Sequence, residues 1–269
     1  MNSRQVAVLA GFAGLCSGVF AHGVPLNFTY STDVSSVATS RGAVVEDRPT
    51  WNNTVVLELP AETLGRFGII HWNQTDLTNR SPYWQRCFNE HDWGAYYGYD
   101  WAFAEDWTLT NEVMVYWMCY SNAKSGVERS HSDYEWDWQG KLANPYVTPY
   151  WRMRVGANQG GWTDTTIGLK QSYTVLSGLT LTPAAFLEIG DGRMNEYRFA
   201  KGADKNHQTG VQTYNIQLTA SYQLTEWLSA FASVREMVTA GHHNRDGRRG
   251  RTMTCCDLTI WQVGLSVNF

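Results

Sequence analysis

Residues 211–224 read VQTYNIQLTASYQL, and from Thr213 onward polar and apolar residues alternate without a break. Side chains on an extended chain point to opposite sides in turn. Tyr214, Ile216, Leu218, Ala220, Tyr222 and Leu224 therefore share one face, and Thr213, Asn215, Gln217, Thr219, Ser221 and Gln223 share the other. On a helix the same residues would scatter over every side, so a period of two admits a strand and excludes an amphipathic helix. The pattern recurs in TIGLKQSYTV (166–175), in LTLTPAAFLEIG (179–190) and in WQVGLSVNF (261–269). No stretch carries a comparable helical period. The chain reads as all-β, with strands that are apolar on one side only.

A soluble sandwich also has one-sided strands, so the connections must decide which solvent the apolar faces meet. Alternating segments lie near 24–34, 50–60, 64–74, 93–104, 107–119, 132–141, 146–157, 165–176, 179–190, 211–224, 227–239 and 257–269. Their lengths cluster near the ~9–11 residues that a tilted strand needs to cross a bilayer. The joins alternate in length. PAE, ED, LANP, SG and TE are tight; 75–92, 120–131, 191–210 and 240–256 are long and polar, with 35–49 and 158–164 in the remaining long positions. Short turns at one end and long loops at the other are the pattern of a transmembrane barrel, and an even strand number brings both ends of the sheet to the short-turn side. The expected fold is a closed antiparallel transmembrane β-barrel of about 12 strands, with short periplasmic turns and longer extracellular loops. Trp51, Trp93, Trp101, Trp107, Trp117, Trp136, Trp138, Trp151, Trp227 and Trp261 lie in or at the ends of these segments, and several suit the membrane interfaces that favour amphipathic rings.

The N-terminal stretch MNSRQVAVLAGFAGLCSGVFAHG has a basic start at Arg4, an apolar middle and small residues before position 22. It reads as a secretory signal peptide, residues 1–21, leaving 22–269 as the barrel. Beyond it there is no run of about 18 apolar residues, which excludes a spanning helix. The formal charge is −4, and the signal removes Arg4 alone among charged residues, so no nucleic-acid partner is expected. Export permits disulfides among Cys87, Cys119, Cys255 and Cys256. Cys87 and Cys119 are expected to pair, because one lies in a long loop and the other ends a strand one strand away on the same rim; Cys255 and Cys256 then pair with each other or stay free, and pairing of Cys87 or Cys119 to Cys255 or Cys256 is the competing map.

The ending on Phe269, with Trp261, Val263, Leu265 and Val267 at every second position before it, resembles the C-terminal assembly signal of Gram-negative outer-membrane barrels. The segments TSRGAVVEDRPTWNNTVVLEL (39–59) and EHDWGAYYGYDWAFAEDWTLTNEVMVYW (90–117) are similar to TorF-type porins, in an Arg-Gly turn after the first strand and an acidic residue opening a strand pair. These resemblances imply an integral protein of the cell outer membrane, inserted by the barrel assembly machinery and in contact with lipid and lipopolysaccharide. They imply no cofactor.

Alternation assigns Glu58, Arg66, Asp100, Glu112, Glu135, Asp137, Arg152, Arg154, Lys170, Glu188 and Arg235 to the inner face. The acids Asp100, Glu112, Glu135 and Asp137 come from the fourth to sixth segments, and the bases Arg152, Arg154 and Lys170 from the seventh and eighth. An acidic arc beside a basic one would set a transverse field across a narrow lumen, and charged clusters are how pores sort solutes. The function so read is passive diffusion of small polar or ionic solutes. The alternatives are a charge network that plugs the lumen, a surface adhesin or structural barrel, and a lipid hydrolase. Hydrolysis is disfavoured: no His-x-Ser occurs to put base and nucleophile on one strand face, HQT (207–209) offers only Thr209, and EHD (90–92) is a poor candidate for the acidic site of a membrane aspartyl-type protease. GHHNRDGRRGRTMTCCD (241–257) contains metal-ligand types in His242, His243, Cys255 and Cys256, in a spacing that matches no closed zinc module, so no metal site is assigned. Its Arg245, Arg248, Arg249 and Arg251 suit lipopolysaccharide phosphates. Paired charges in a wet lumen contribute about 0–1 kcal/mol, so reversing Arg152 and Arg154 to Glu is expected to leave a folded barrel.

Overall fold

The computed structural model describes residues 25–40, 43–46, 48–78, 90–120, 132–157, 161–199, 208–241 and 257–269. Its strands in chain order are β1 (Asn27–Ser35), β2 (Ala38–Ser40), β3 (Ala43–Glu46), β4 (Thr50–Pro60), β5 (Arg66–Asp76), β6 (Glu90–Ala104), β7 (Trp107–Tyr120) and β8 (Ser132–Ala143), then β9 (Thr148–Gly156), β10 (Trp162–Lys170), β11 (Tyr173–Leu176), β12 (Leu179–Gly190), β13 (Gly210–Gln223), β14 (Leu228–Thr239) and β15 (Asp257–Asn268). Each barrel strand pairs antiparallel with its neighbours, and β1 with β15 completes the circle. β2 and β3 form a separate small hairpin inside the first long connection. β10 and β11 are two pieces of one staff of the barrel, so the described residues form a closed twelve-stranded barrel.

The segment 165–176, read as one strand, is thus interrupted at Gln171 and Ser172. The cause lies on the partner. Gln171 donates its N–H to the carbonyl of Pro183 at 3.2 Å, but proline has no N–H to return. One ladder rung is lost there, and pairing resumes at Tyr173 opposite Leu181.

Tight joins close one end. A 3-10 turn at Glu62–Leu64 leads into Gly65, whose φ of 92° favours a residue without a Cβ. Gly178, at φ 80°, does the same between β11 and β12. Asn144 closes the β8–β9 turn by accepting from the N–H groups of Tyr146 and Val147 at 3.0 and 3.1 Å.

Burial is inverted relative to a soluble sandwich. Ile69, Ile167, Leu169, Ile216, Leu218, Val263 and Leu265 are exposed, whereas Asp137, Asp164, Gln212 and Thr213 are buried. An apolar band this continuous is far larger than the patches that monomeric soluble proteins tolerate. Only helices and closed barrels satisfy their backbone in hydrocarbon; no described helix is long and apolar enough to cross a membrane, and the barrel is closed. The apolar face meets lipid.

Closure extends to Phe269. Its N–H donates to the Phe28 carbonyl at 2.9 Å and its carbonyl accepts from the Phe28 N–H at 3.0 Å. Its ring stacks on Trp227 at 5.9 Å and lies 6.2 Å from Phe28. Phe269→Ser should lower the yield of assembled barrel in cells while leaving the folded fraction nearly as stable, since the ring is mostly exposed. The heat-resistant band on an unboiled detergent gel measures this; an unchanged yield would remove Phe269 from assembly.

Candidate functional site in the barrel lumen

Pairing register carries the inner face around the wall as continuous rows. One runs Arg66, Gly98, Glu112, Gln139, Arg152, Thr166, Glu188, Thr213, Thr239. Another runs Glu58, Gly68, Tyr96, Met114, Asp137, Arg154, Asp164, Gly190. The inner-face charges read from the sequence all lie on this side of the sheet.

At the short-turn end, Arg66 is held by three carboxylates. Its Nη1 donates to Asp100 at 2.5 Å and its Nη2 to Glu112 at 2.5 Å, while Nε lies 3.2 Å from Glu58. Tyr96 donates its hydroxyl to Glu58 at 2.8 Å, Thr110 donates to Asp100 at 2.6 Å, and Gln139 donates to Glu112. Two glycines make the arrangement possible. A Cβ on Gly68 would enter the Tyr96 ring, and one on Gly98 would meet the Arg66 guanidinium. Both side chains therefore lie flat across the neighbouring strand. Gly68→Val should displace Tyr96, remove its hydrogen bond to Glu58 and alter ion selectivity without preventing closure. An identical reversal potential in that variant would show that Glu58 does not face the ion path.

Midway around the wall, Arg152 pairs with Asp137, its Nε donating at 2.5 Å, and Arg154 pairs with Asp164. The Asp137 and Asp164 side chains are fully buried at 0% exposure, and Glu135 is buried beside them on the same strand face. This corrects the expectation of weak pairs in a wet lumen. Removing one member of a buried pair strands an uncompensated charge, at a cost of about 3–5 kcal/mol.

Charges are also interleaved rather than segregated. Arg66 sits inside the acidic group, and Asp164 sits among the bases. Asp164 escaped the sequence reading because residues 158–164 were placed in a connection; its place two residues before Thr166, on the alternating polar face, was the available signal. Farther round, Glu188 accepts from Thr213 at 2.6 Å, Lys170 lies 5.2 Å from the centre of the Tyr150 ring, and Arg235 donates to Thr39.

Two connections cover the inner face at the long-loop end. Val37, just before the β2–β3 hairpin, packs on Met237 and Ile260 of β14 and β15. Helix α1 (Gly192–Phe199) is capped by Asp191, which accepts from the Met194 N–H at 2.7 Å. Asn195 of α1 donates to the carbonyls of Gly190 and Gln208 at 3.3 and 2.7 Å, and a Cβ on Gly190 would collide with it. Met194 and Asn195 are buried. The remaining wall, over β12 to β15 and β1, presents hydroxyl and amide groups, including Thr182, Thr219, Ser233 and Gln262 in one row.

Among the described residues Cys119, near the long-loop end of β7, has no disulfide partner. Its expected partner Cys87 lies outside the described residues, as do Cys255, Cys256, His242 and His243. Among the described residues no group of three or more His, Cys, Asp or Glu is placed to hold a metal.

A closed twelve-stranded barrel with a lipid-facing apolar band and a polar, charged interior is a porin-like outer-membrane barrel. Solved structures of that class share the fold. The NanC porin superposes with a TM-score of 0.50 at 12% identity, over 88% of this chain and 98% of that one. An outer membrane channel from Pseudomonas putida F1 superposes with a TM-score of 0.51 at 11% identity, over 91% and 94%. Neither a family model nor a curated protein matches the sequence.

Proposed function

We propose that the protein is a narrow outer-membrane channel for passive diffusion of small polar or ionic solutes, exported by cleavage of residues 1–21 and without enzymatic activity. The observation that carries this reading is the inner face: its rows of charge, hydroxyl and amide run around the whole wall, a polar lining that suits a lumen filled with water or solute. The network around Arg66 and the inward-folded α1 supply the narrow places. The chain's likeness to the NanC porin and the Pseudomonas channel supports the fold on which the reading stands. Purified barrel in a planar bilayer should give discrete conductance steps that scale with salt, and N-terminal sequencing should begin at His22. A heat-resistant barrel that conducts nothing at any potential would overturn the channel and favour the plugged, adhesin or structural reading.

A further inference from the structure

The outer face carries a polar group of its own. Tyr30 donates to Asn53 at 2.9 Å, and Asn53 donates to Asn73 at 3.1 Å. Beside them His71 of β5 meets His91 of β6, with Nε2 and Nδ1 3.4 Å apart. Both rings point outward: His71 shares its strand face with exposed Phe67 and Ile69, and pairs across the ladder with exposed Trp93. His91 is the second residue of β6, so the pair lies at the long-loop rim, where the apolar band gives way to water and lipid headgroups. Trp93 lies against His71 with ring centres 4.3 Å apart.

We propose that His71 and His91 form a binding site for a divalent first-row transition metal, such as Zn²⁺ or Cu²⁺, on the outer surface of the barrel. Imidazole nitrogens bind zinc at ~2.0–2.1 Å, and two such ligands in a tetrahedral arrangement stand about 3.3–3.4 Å apart. The two facing nitrogens already have that separation. In the metal-free pair one ring donates a proton and the other accepts it. Binding requires the donor ring to carry its proton on its other nitrogen and both rings to turn, so that lone pairs now aimed along the line between the two nitrogens converge on the ion; no net proton is released. Adjacent strands fix both backbones, which places the ligands before the metal arrives. Cys119 stands across the ladder from His91, yet the three do not gather into one ligand set. The site is therefore open, with two protein ligands and the remaining positions filled by water. It differs in kind from a closed structural zinc centre.

The test uses folded, detergent-purified barrel carrying His242→Asn and His243→Asn, which removes the other adjacent histidines. Titration with copper chloride or zinc chloride alone should show one saturable equivalent, and copper should quench Trp93. His71→Gln and His91→Gln should each weaken binding by about tenfold or more, with the heat-resistant gel band retained. Trp93→Phe should keep the affinity and lose part of the quench. Absence of saturable binding, or an affinity equal to the parent's in either His→Gln variant, would overturn the site. So would one equivalent that is present in the parent chain and absent once His242 and His243 are replaced.

Discussion

Arg66→Gln should make the channel strongly cation-selective and weaken the barrel. The substitution leaves Glu58, Asp100 and Glu112 around a position that no longer carries charge. Three carboxylates that shared one guanidinium then face one another and the ion path. Like charges at close range repel unless counter-ions enter, so cations accumulate there and anions are excluded. Reversal potentials in a potassium chloride gradient should move toward the cation limit. Stability should fall by about 3 kcal/mol, the low end for a buried partner removed, because Asp100 is half exposed to water. Arg66→Lys keeps the charge but not the three-way fork, so it should restore most of the selectivity and less of the stability. A conducting Arg66→Gln barrel with the parent reversal potential would place the ion path elsewhere.

The second large effect concerns the wall between β8 and β10. Arg154→Ala should destabilise the barrel by about 3–5 kcal/mol, since it strands Asp164 at zero exposure. Reversing Arg152 and Arg154 together to Glu should prevent assembly, with the heat-resistant band lost, because the buried Asp137 and Asp164 would each face a like charge. Exchanging the partners, Arg154→Asp with Asp164→Arg, should recover part of the loss, because the new pair spans the same ladder rung. A folded, fully stable double-Glu barrel would show that water reaches these side chains and that the pairs contribute little.

Much of this protein was legible along the chain. Alternation at period two is a local property: it needs only the next residue but one, and it held across β13 from Thr213 onward and the final strand up to Phe269. The strand number, the alternating loop lengths and the assignment of Glu58, Asp100, Arg152 and Glu188 to the inner face all follow from it. What the period cannot supply is register. Arg66 meets Asp100 and Glu112 across 34 and 46 residues, and Arg154 meets Asp164 on the following strand, because the pairing of whole strands sets which rungs align. The break at Gln171 depends on Pro183 arriving opposite it. The inward turn of α1 and of the segment at Val37 depends on glycine and apolar surface supplied by other strands. The outward pair His71 and His91 looked unremarkable at 20 residues' separation; only the β5–β6 ladder brings their nitrogens together. Sequence determined which face each side chain takes. Tertiary structure decided which side chains meet, since contacts between strands are fixed by a closed hydrogen-bonded lattice that no single segment encodes.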